Sequence, residues 1–300
     1  MRIVKEVLIL VYIFVLYSCS NSPDDSIQEK ICPVKIASLS LASDEILLDI
    51  IDDSRIIGVT YLAGNKNLSN VYLKSGSVPN KLRPNLEQLI EVRPDLVIVA
   101  DYIDFGFLNQ IKKSGIKTLY LKDINSVENI NKNILLIGDV VCEKEKAQKI
   151  VSDMVSRIED IKKRELISRP EILYLFPSLF TSGANSTIGE IIEIAGGINI
   201  GKVAGIDGNK KISREYILDT DPDIIIVGSY SIDNKNFIEN LKSDKVLKNL
   251  TAIKKNHVYQ IETKHLTTVS HHIVKGIEDV SDIIDGYNLH LNADKKKTTD

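Results

Sequence analysis

The sequence predicts an α/β protein of two lobes, each a mainly parallel sheet flanked by helices, joined by one long rigid helix. Three observations carry this. Strand-like and helix-like runs alternate along the chain, the pattern of a parallel sheet covered by helices on both faces. The stretch PNLEQLIEVRPDLVIVA (84 to 100) shares its plan with ISREYILDTDPDIIIVG (212 to 228): a glutamate stands seven positions before a Pro-Asp pair, and branched aliphatics follow. The copies lie 128 residues apart, far beyond the period of about 20 to 50 residues that marks solenoids, so they point to two lobes of similar construction. Between them, from about Cys142 to Arg169, no Gly or Pro interrupts a pattern of Ile150, Val151, Met154, Ile158 and Ile161 separated by charges. That reads as a single helix of about 25 residues, about 38 Å long.

Length agrees with two lobes. A chain of 300 residues with 43% hydrophobic content buries a sizeable core and has the size of one large or two ordinary domains. With 38 Lys+Arg against 41 Asp+Glu and a net charge of -3, it offers no broad basic surface for a phosphate backbone, so nucleic acid is not an expected partner.

The first element is an export signal. Arg2 and Lys5 precede an apolar run from Val7 to Leu16, long enough for a signal-peptide core and too short for a membrane span of about 20 residues. The run ends in Leu16-Tyr17-Ser18-Cys19, which resembles the bacterial lipobox, although Tyr17 is bulkier than the small residue usual there. Residues 1–18 are then a signal peptide and 19–32 a polar tether lipidated at Cys19, which anchors the chain at a membrane surface of the cell envelope. Whether that surface faces a periplasm or the outside is left open. So is the state of Cys32 and Cys142, which either bridge or stay as buried thiols.

The N-terminal lobe (33–141) follows. VKIASLS is a strand, ASDEILLDII a helix, RIIGVTY a strand, then come a short helix over 86 to 92 and a strand over 95 to 100. FLNQIKKSG, IKTLYL and SVENINKNILLIGDVV continue the alternation. After the connecting helix (142–169), the C-terminal lobe (170–290) restarts with the strand EILYLF, the loop TSGANST, and a helix IGEIIEIAGG ended by Gly196-Gly197. The second copy, a charged segment, the strand HVYQI, the loop ETKHLTTVS and a final helix HHIVKGIEDVSDIIDGY complete it. Residues 291–300 read as a disordered tail.

The repeat has a local explanation. Asn85 and Ser213 are good N-caps, so Glu87 and Glu215 sit in first helical turns, where the helix dipole favours an acid by about 0.3 to 1 kcal/mol. Pro94 and Pro222 stop the helices, and the aliphatic runs that follow suit strands buried on both faces.

Six stretches in order, KIASLSLASDEILLDI..DDSRIIGVTY, NLEQLIEVRPDLVIVA, EKAQKIVSDM, TSGANSTIGEIIEIAGGIN, ISREYILDTDPDIIIVG and VLKNLTAIKKNHVYQI, resemble the substrate-binding proteins of ABC importers for iron complexes and cobalamin. The resemblance runs from about Val34 to Ile284. It implies two lobes on one rigid helix, a ligand held in the cleft between them, and little hinge motion. It also implies that one exposed glutamate on each lobe docks onto arginines of a two-fold permease; Glu87 and Glu215 stand at the matching positions. A permease dimer and its ATPase are the implied partners, with the receptor itself a monomer.

In open α/β sheets ligands sit beyond the carboxyl ends of strands. The loops there contribute Ser40, Ser43, Tyr61, Asp101, Tyr102, Phe180, Thr181, Ser182, Asn185, Ser229, Tyr230, His265 and His271 as cleft candidates. Aromatic faces with hydroxyls suit a large, flat, partly apolar metal chelate: a ferric siderophore, haem or a corrinoid. Tyr61, Tyr102, His265 and His271 are candidate axial ligands to haem iron, while His271-His272 reads equally as a solvated first helical turn. The chain has no tryptophan, the residue that family members of the cobalamin type place around the corrin, and its cleft loops hold few cations beyond Lys264. A dedicated metal site is not expected, because metal-ion receptors draw histidines from both lobes and no histidine precedes Arg169. No cofactor is expected either. The sequence lacks a G-x-S-x-G elbow, a G-K-[ST] loop and an H-E-x-x-H helix, so an enzyme is the weaker alternative.

Overall fold

Every residue of the aliphatic runs Leu96–Ala100 and Ile224–Gly228 is buried, and each run is an interior strand of a parallel sheet. The computed structural model describes residues 31–229 and 232–297; the signal segment, Cys19 and Tyr230 lie outside them. The described residues from Pro33 onward form one unit.

The N-terminal lobe contains β1 (Ile36–Ser38), α1 (Leu41–Ile50), β2 (Ile56–Thr60), β3 (Asn80–Leu82), α2 (Leu86–Val92), β4 (Leu96–Ala100), α3 (Phe105–Lys113), β5 (Thr118–Leu121) and α4 (Val127–Val140). Its sheet has the order β3-β2-β1-β4-β5, parallel throughout. After α5 (Lys144–Lys162), the C-terminal lobe contains β6 (Glu171–Leu175), β7 (Phe180–Ser182), α6 (Thr187–Ile194), β8 (Ile198–Asn199), α7 (Ile200–Val203), β9 (Asn209–Lys211) and α8 (Arg214–Thr220). It continues with β10 (Ile224–Gly228), α9 (Ile232–Ser243), α10 (Thr251–Lys254), β11 (Val258–Ile261), α11 (Thr263–Leu266) and α12 (Ile273–Lys297). Here the parallel order is β11-β10-β6-β8, with β7 and β9 paired antiparallel beside it.

The repeat is the same device built twice. The Asn85 side chain accepts from Gln88 N at 3.0 Å and that of Ser213 from Tyr216 N at 3.1 Å, so α2 and α8 start alike. Both stop on a residue in the left-handed region, Arg93 (φ 50°) and Asp221 (φ 44°), followed by the prolines. Asp95 and Asp223 then accept backbone N–H groups at the head of the lobe's first strand.

Two expected boundaries change. The connecting helix spans Lys144–Lys162, 19 residues rather than about 25. It ends because Arg164 is drawn away to the C-terminal lobe, donating to the carbonyls of Ala195 (2.8 Å) and Ser281 (3.1 Å) and pairing with Asp285 at 2.7 Å. The expected tail also differs: α12 continues to Lys297, beyond the boundary placed at 290. Ile150, Val151, Met154, Ile158 and Ile161 of α5 all join the main core.

That core is shared. Ile46, Ile98 and Ile130 of the first lobe belong to the same buried cluster as Ile191, Ile226 and Ile277 of the second, whereas two smaller clusters serve one sheet face each. A hinge through such a core would expose apolar surface, each buried Leu or Ile being worth about 1.5–3 kcal/mol. Cys32 and Cys142 are both disulfide-bonded. Among the described residues, no helix is long and apolar enough to cross a membrane.

Candidate ligand site

Beyond the carboxyl end of β6 the chain turns sharply. Ser178 (φ 65°) and Leu179 (φ 60°) both adopt the left-handed region, and Phe176 N donates to Phe180 O at 2.8 Å, closing the turn. The turn leaves Phe176 and Phe180 38% and 37% exposed, a cost in apolar hydration that a ligand face removes. They border a cavity of about 430 Å³ with Tyr174, Thr181, Ile188 and Thr267. The buried Thr181 Oγ1 has no hydrogen-bond partner there; a buried hydroxyl in that state costs about 1–3 kcal/mol, which an accepting ligand atom would recover.

The first lobe presents its own aromatics at the carboxyl ends of β2 and β4. Tyr61 is 43% exposed and Tyr102 60%. The Arg83 guanidinium lies 3.8 Å over the Tyr61 ring, a cation–π contact. Tyr102 leaves its ring open while its hydroxyl meets Ser40 and the Leu41 backbone, and loss of hydration there pushes the phenol up to about 12. Asp101 is exposed and accepts from Asp123 N at 3.1 Å.

The lobes meet beside the cavity. Thr267 lines it, and the next residue, Thr268, donates to Glu45 Oε2 of α1 at 2.6 Å. Ser270 donates to the same oxygen at 2.5 Å, while Glu45 Oε1 accepts from Asn70 N at 2.8 Å. Asn70 Nδ2 in turn reaches Lys264 O at 2.9 Å.

Several cleft candidates turn out to be committed elsewhere. Ser40 and Ser43 are buried at the start of α1, their hydroxyls 2.5 Å apart, with Ser38 Oγ 2.7 Å from Ser43; they cap a helix rather than face the cavity. Asn185 donates to Asp207 and lines a separate polar concavity with Ser126, Glu190 and Lys202. Ser229 Oγ accepts from Thr263 N, and Ser182 Oγ, at the cavity wall, donates to Asn209. His265 Nδ1 lies 2.6 Å from Asp279, and His271 Nε2 lies 2.8 Å from Asp49. Neither histidine lines the cavity. Phe180 and Thr181 do, and Tyr61 and Tyr102 remain exposed on the other lobe. Tyr230 lies outside the described residues. Glu87 and Glu215 are exposed in matching first turns.

A family model described as periplasmic binding protein matches residues 36–264. The chain belongs to that family. Among similar proteins is the high-affinity heme uptake system protein IsdE of Staphylococcus aureus (strain Newman), 28% identical over 282 residues, covering 87% of this chain and 90% of that one. An ABC transporter substrate-binding lipoprotein, YvrC of Bacillus subtilis (strain 168), is 24% identical over 270 residues, covering 84% of this chain and 80% of that one. The solved structure of the periplasmic heme-binding protein RhuT from Roseiflexus sp. RS-1, in apo form, superposes with a TM-score of 0.74 at 19% identity, covering 85% of this chain and 98% of that one.

As a periplasmic binding protein the chain has the two-lobed plan its motifs implied. Phe176, Arg83 and Lys211 were not among the cleft candidates; Phe176 lies one residue before the loop where candidates were sought, and Arg83 reads in the sequence only as a neighbour of Glu87. Arg83 sits on Tyr61, and Lys211 Nζ lies 5.6 Å over Phe180, so each aromatic rim carries a cation. Arg83 follows the edge strand β3 and Lys211 ends β9, so a search confined to the loops beyond the parallel strands passes over both.

Proposed function

We propose that this chain is the substrate-binding protein of an ABC importer, and that its ligand is haem. The observation that carries the ligand is the pair of aromatic rims: Tyr61 and Tyr102 on one lobe, Phe176 and Phe180 on the other, all more than a third exposed, with the Arg83 guanidinium 3.8 Å over Tyr61 and the Lys211 ammonium 5.6 Å over Phe180. Flat apolar faces take a macrocycle, and paired cations take its two carboxylates. The haem named for two of the similar proteins supports the same ligand. Tyr61 is the axial residue we assign: its ring is open and cation-capped, whereas the Tyr102 phenol resists ionisation and His265 and His271 are engaged by carboxylates.

In this reading Cys19 carries the lipid anchor, Glu87 and Glu215 meet the permease dimer, and an ATPase drives release. Membership of a binding-protein family speaks against the enzyme alternative.

The test is a visible-absorption titration of the chain lacking residues 1 to 19 with haemin, a cobalamin and ferric siderophores. A saturable Soret shift with haemin, with the ferric–phenolate band lost in Tyr61→Phe, is expected. Tight binding of a cobalamin or siderophore with no haemin response would replace haem by that ligand.

A further inference from the structure

The lobe junction holds a group of side chains that ligand capture does not use. Asp49, in the last turn of α1, faces His271 and His272 at the head of α12. His271 Nε2 lies 2.8 Å and His272 Nε2 3.2 Å from Asp49 Oδ2, and all three side chains are 13–15% exposed. One donor atom from each falls within 4.8 Å of the others. His272 Nε2, although 3.2 Å from Asp49 Oδ2, makes no well-directed hydrogen bond there, and His271 Nδ1, on the far side of its ring, is likewise buried without a partner. We propose that Asp49, His271 and His272 form a binding site for a first-row divalent transition ion that clasps the two lobes together.

The chemistry fits in three respects. Two imidazoles and one carboxylate form a borderline donor set that suits zinc and its first-row neighbours. Bonds of about 2.0–2.1 Å at tetrahedral angles place donor atoms about 3.3 Å apart, so the 2.8 and 3.2 Å separations from Asp49 need to open by only a few tenths of an ångström, and the two histidine donors lie within 4.8 Å of each other. His272 Nε2 is also buried with no hydrogen-bond partner, and an imidazole nitrogen with a free lone pair is the ligating form. Lys74 contacts the other Asp49 carboxylate oxygen, Oδ1, with 58% of its side chain exposed, so its ammonium is free to withdraw to water. Three protein ligands leave a fourth position for water.

The consequence is mechanical. The donors come from both lobes, so an ion there adds to the Glu45 contacts with Thr268 and Ser270 and stiffens the junction beside the cavity without touching the ligand.

The test uses the full chain, stripped with a chelator and titrated with Co(II), then Zn(II), in the absence of haem. One equivalent of Co(II), with a tetrahedral or five-coordinate visible spectrum displaced by Zn(II), and a rise in Tm with Zn(II), are expected. Asp49→Asn and His272→Gln should each weaken binding at least about tenfold. His271→Cys keeps a ligand and should add a thiolate-to-cobalt charge-transfer band, which shows the site even if the other variants fold poorly. No saturable binding by the parent chain, or unchanged affinity in all three variants without the new band, overturns the proposal. Haem binding is read separately from its Soret band, so neither result depends on the other.

Discussion

Asp95 and Asp223 occupy equivalent places in the two sheets. Asp95 Oδ2 accepts from Lys35 N at 2.9 Å and Val34 N at 3.1 Å at the head of β1, and Asp223 Oδ2 accepts from Glu171 N at 2.9 Å at the head of β6. Each aspartate also donates its own N–H back, to Lys35 O at 2.8 Å or Glu171 O at 3.0 Å. The Pro-Asp of the repeat is therefore a strand clamp. Asp223→Ala should cost about 1–3 kcal/mol, since it also strands the Tyr287 hydroxyl that donates to Asp223 Oδ1 at 2.9 Å. Asp95→Ala, whose partners are nearer solvent, should cost less. Urea unfolding of both variants measures the difference.

Glu45 is the central acceptor of the lobe junction, taking Thr268 and Ser270 on one oxygen and Asn70 on the other. Removing it leaves buried donors from both lobes unpaired. Glu45→Ala should lower stability by about 3 kcal/mol and speed amide exchange at Asn70 and Ser270. Unchanged exchange there would mean that the shared core alone sets the rigidity of the junction.

Asp44, fully buried beside Glu45, accepts from Thr60 N at 3.1 Å and Thr60 Oγ1 at 2.5 Å. Burial outweighs these bonds and pushes its carboxyl from 3.8 up to about 7. Between those values the folded state keeps a proton that the unfolded chain has released, so this group's contribution falls as pH rises through the window and levels off above about 7. Asp44→Asn removes that dependence. Relative to the parent chain, it should gain on the order of 3 kcal/mol from pH 4 to 7.5, read as the change in urea midpoint. A parallel pH dependence in the two proteins would place the titration elsewhere.

Glu87 and Glu215 carry no partner from their own helix caps: Asn85 and Ser213 satisfy the first-turn amides. Charge reversal at both should leave fold and haemin affinity unchanged while uptake through the permease falls at least about tenfold, the scale of a lost interfacial charge pair. Uptake of haemin by cells carrying each variant makes the measurement.

Lys211 is the cation over Phe180. Lys211→Glu should weaken haemin binding about tenfold by setting a like charge against a propionate, with a smaller effect on an uncharged corrinoid. Equal loss for both ligands would assign Lys211 to packing rather than charge.

The sequence by itself determined what depends on neighbours along the chain. The helix over 86–92 was legible to the residue because an N-cap and a Pro bracket it, and β4 and β10 because unbroken aliphatic runs are stable only inside a covered sheet. The family was legible for the same reason, as six local motifs in order. The short strands β3, β7, β8 and β9 were not, since unlike β1, whose three residues lie in an apolar run, their two or three residues carry no period and are held by a sheet partner. Tertiary structure alone decided which polar groups were free. Ser40 and Ser43 satisfy each other, His265 and His271 found carboxylates 14 and 222 positions away, and Arg83 and Lys211 came to lie on the aromatic rims. A hydrogen bond is set by distance in space, and separation along the chain does not predict which carboxylate a histidine will meet.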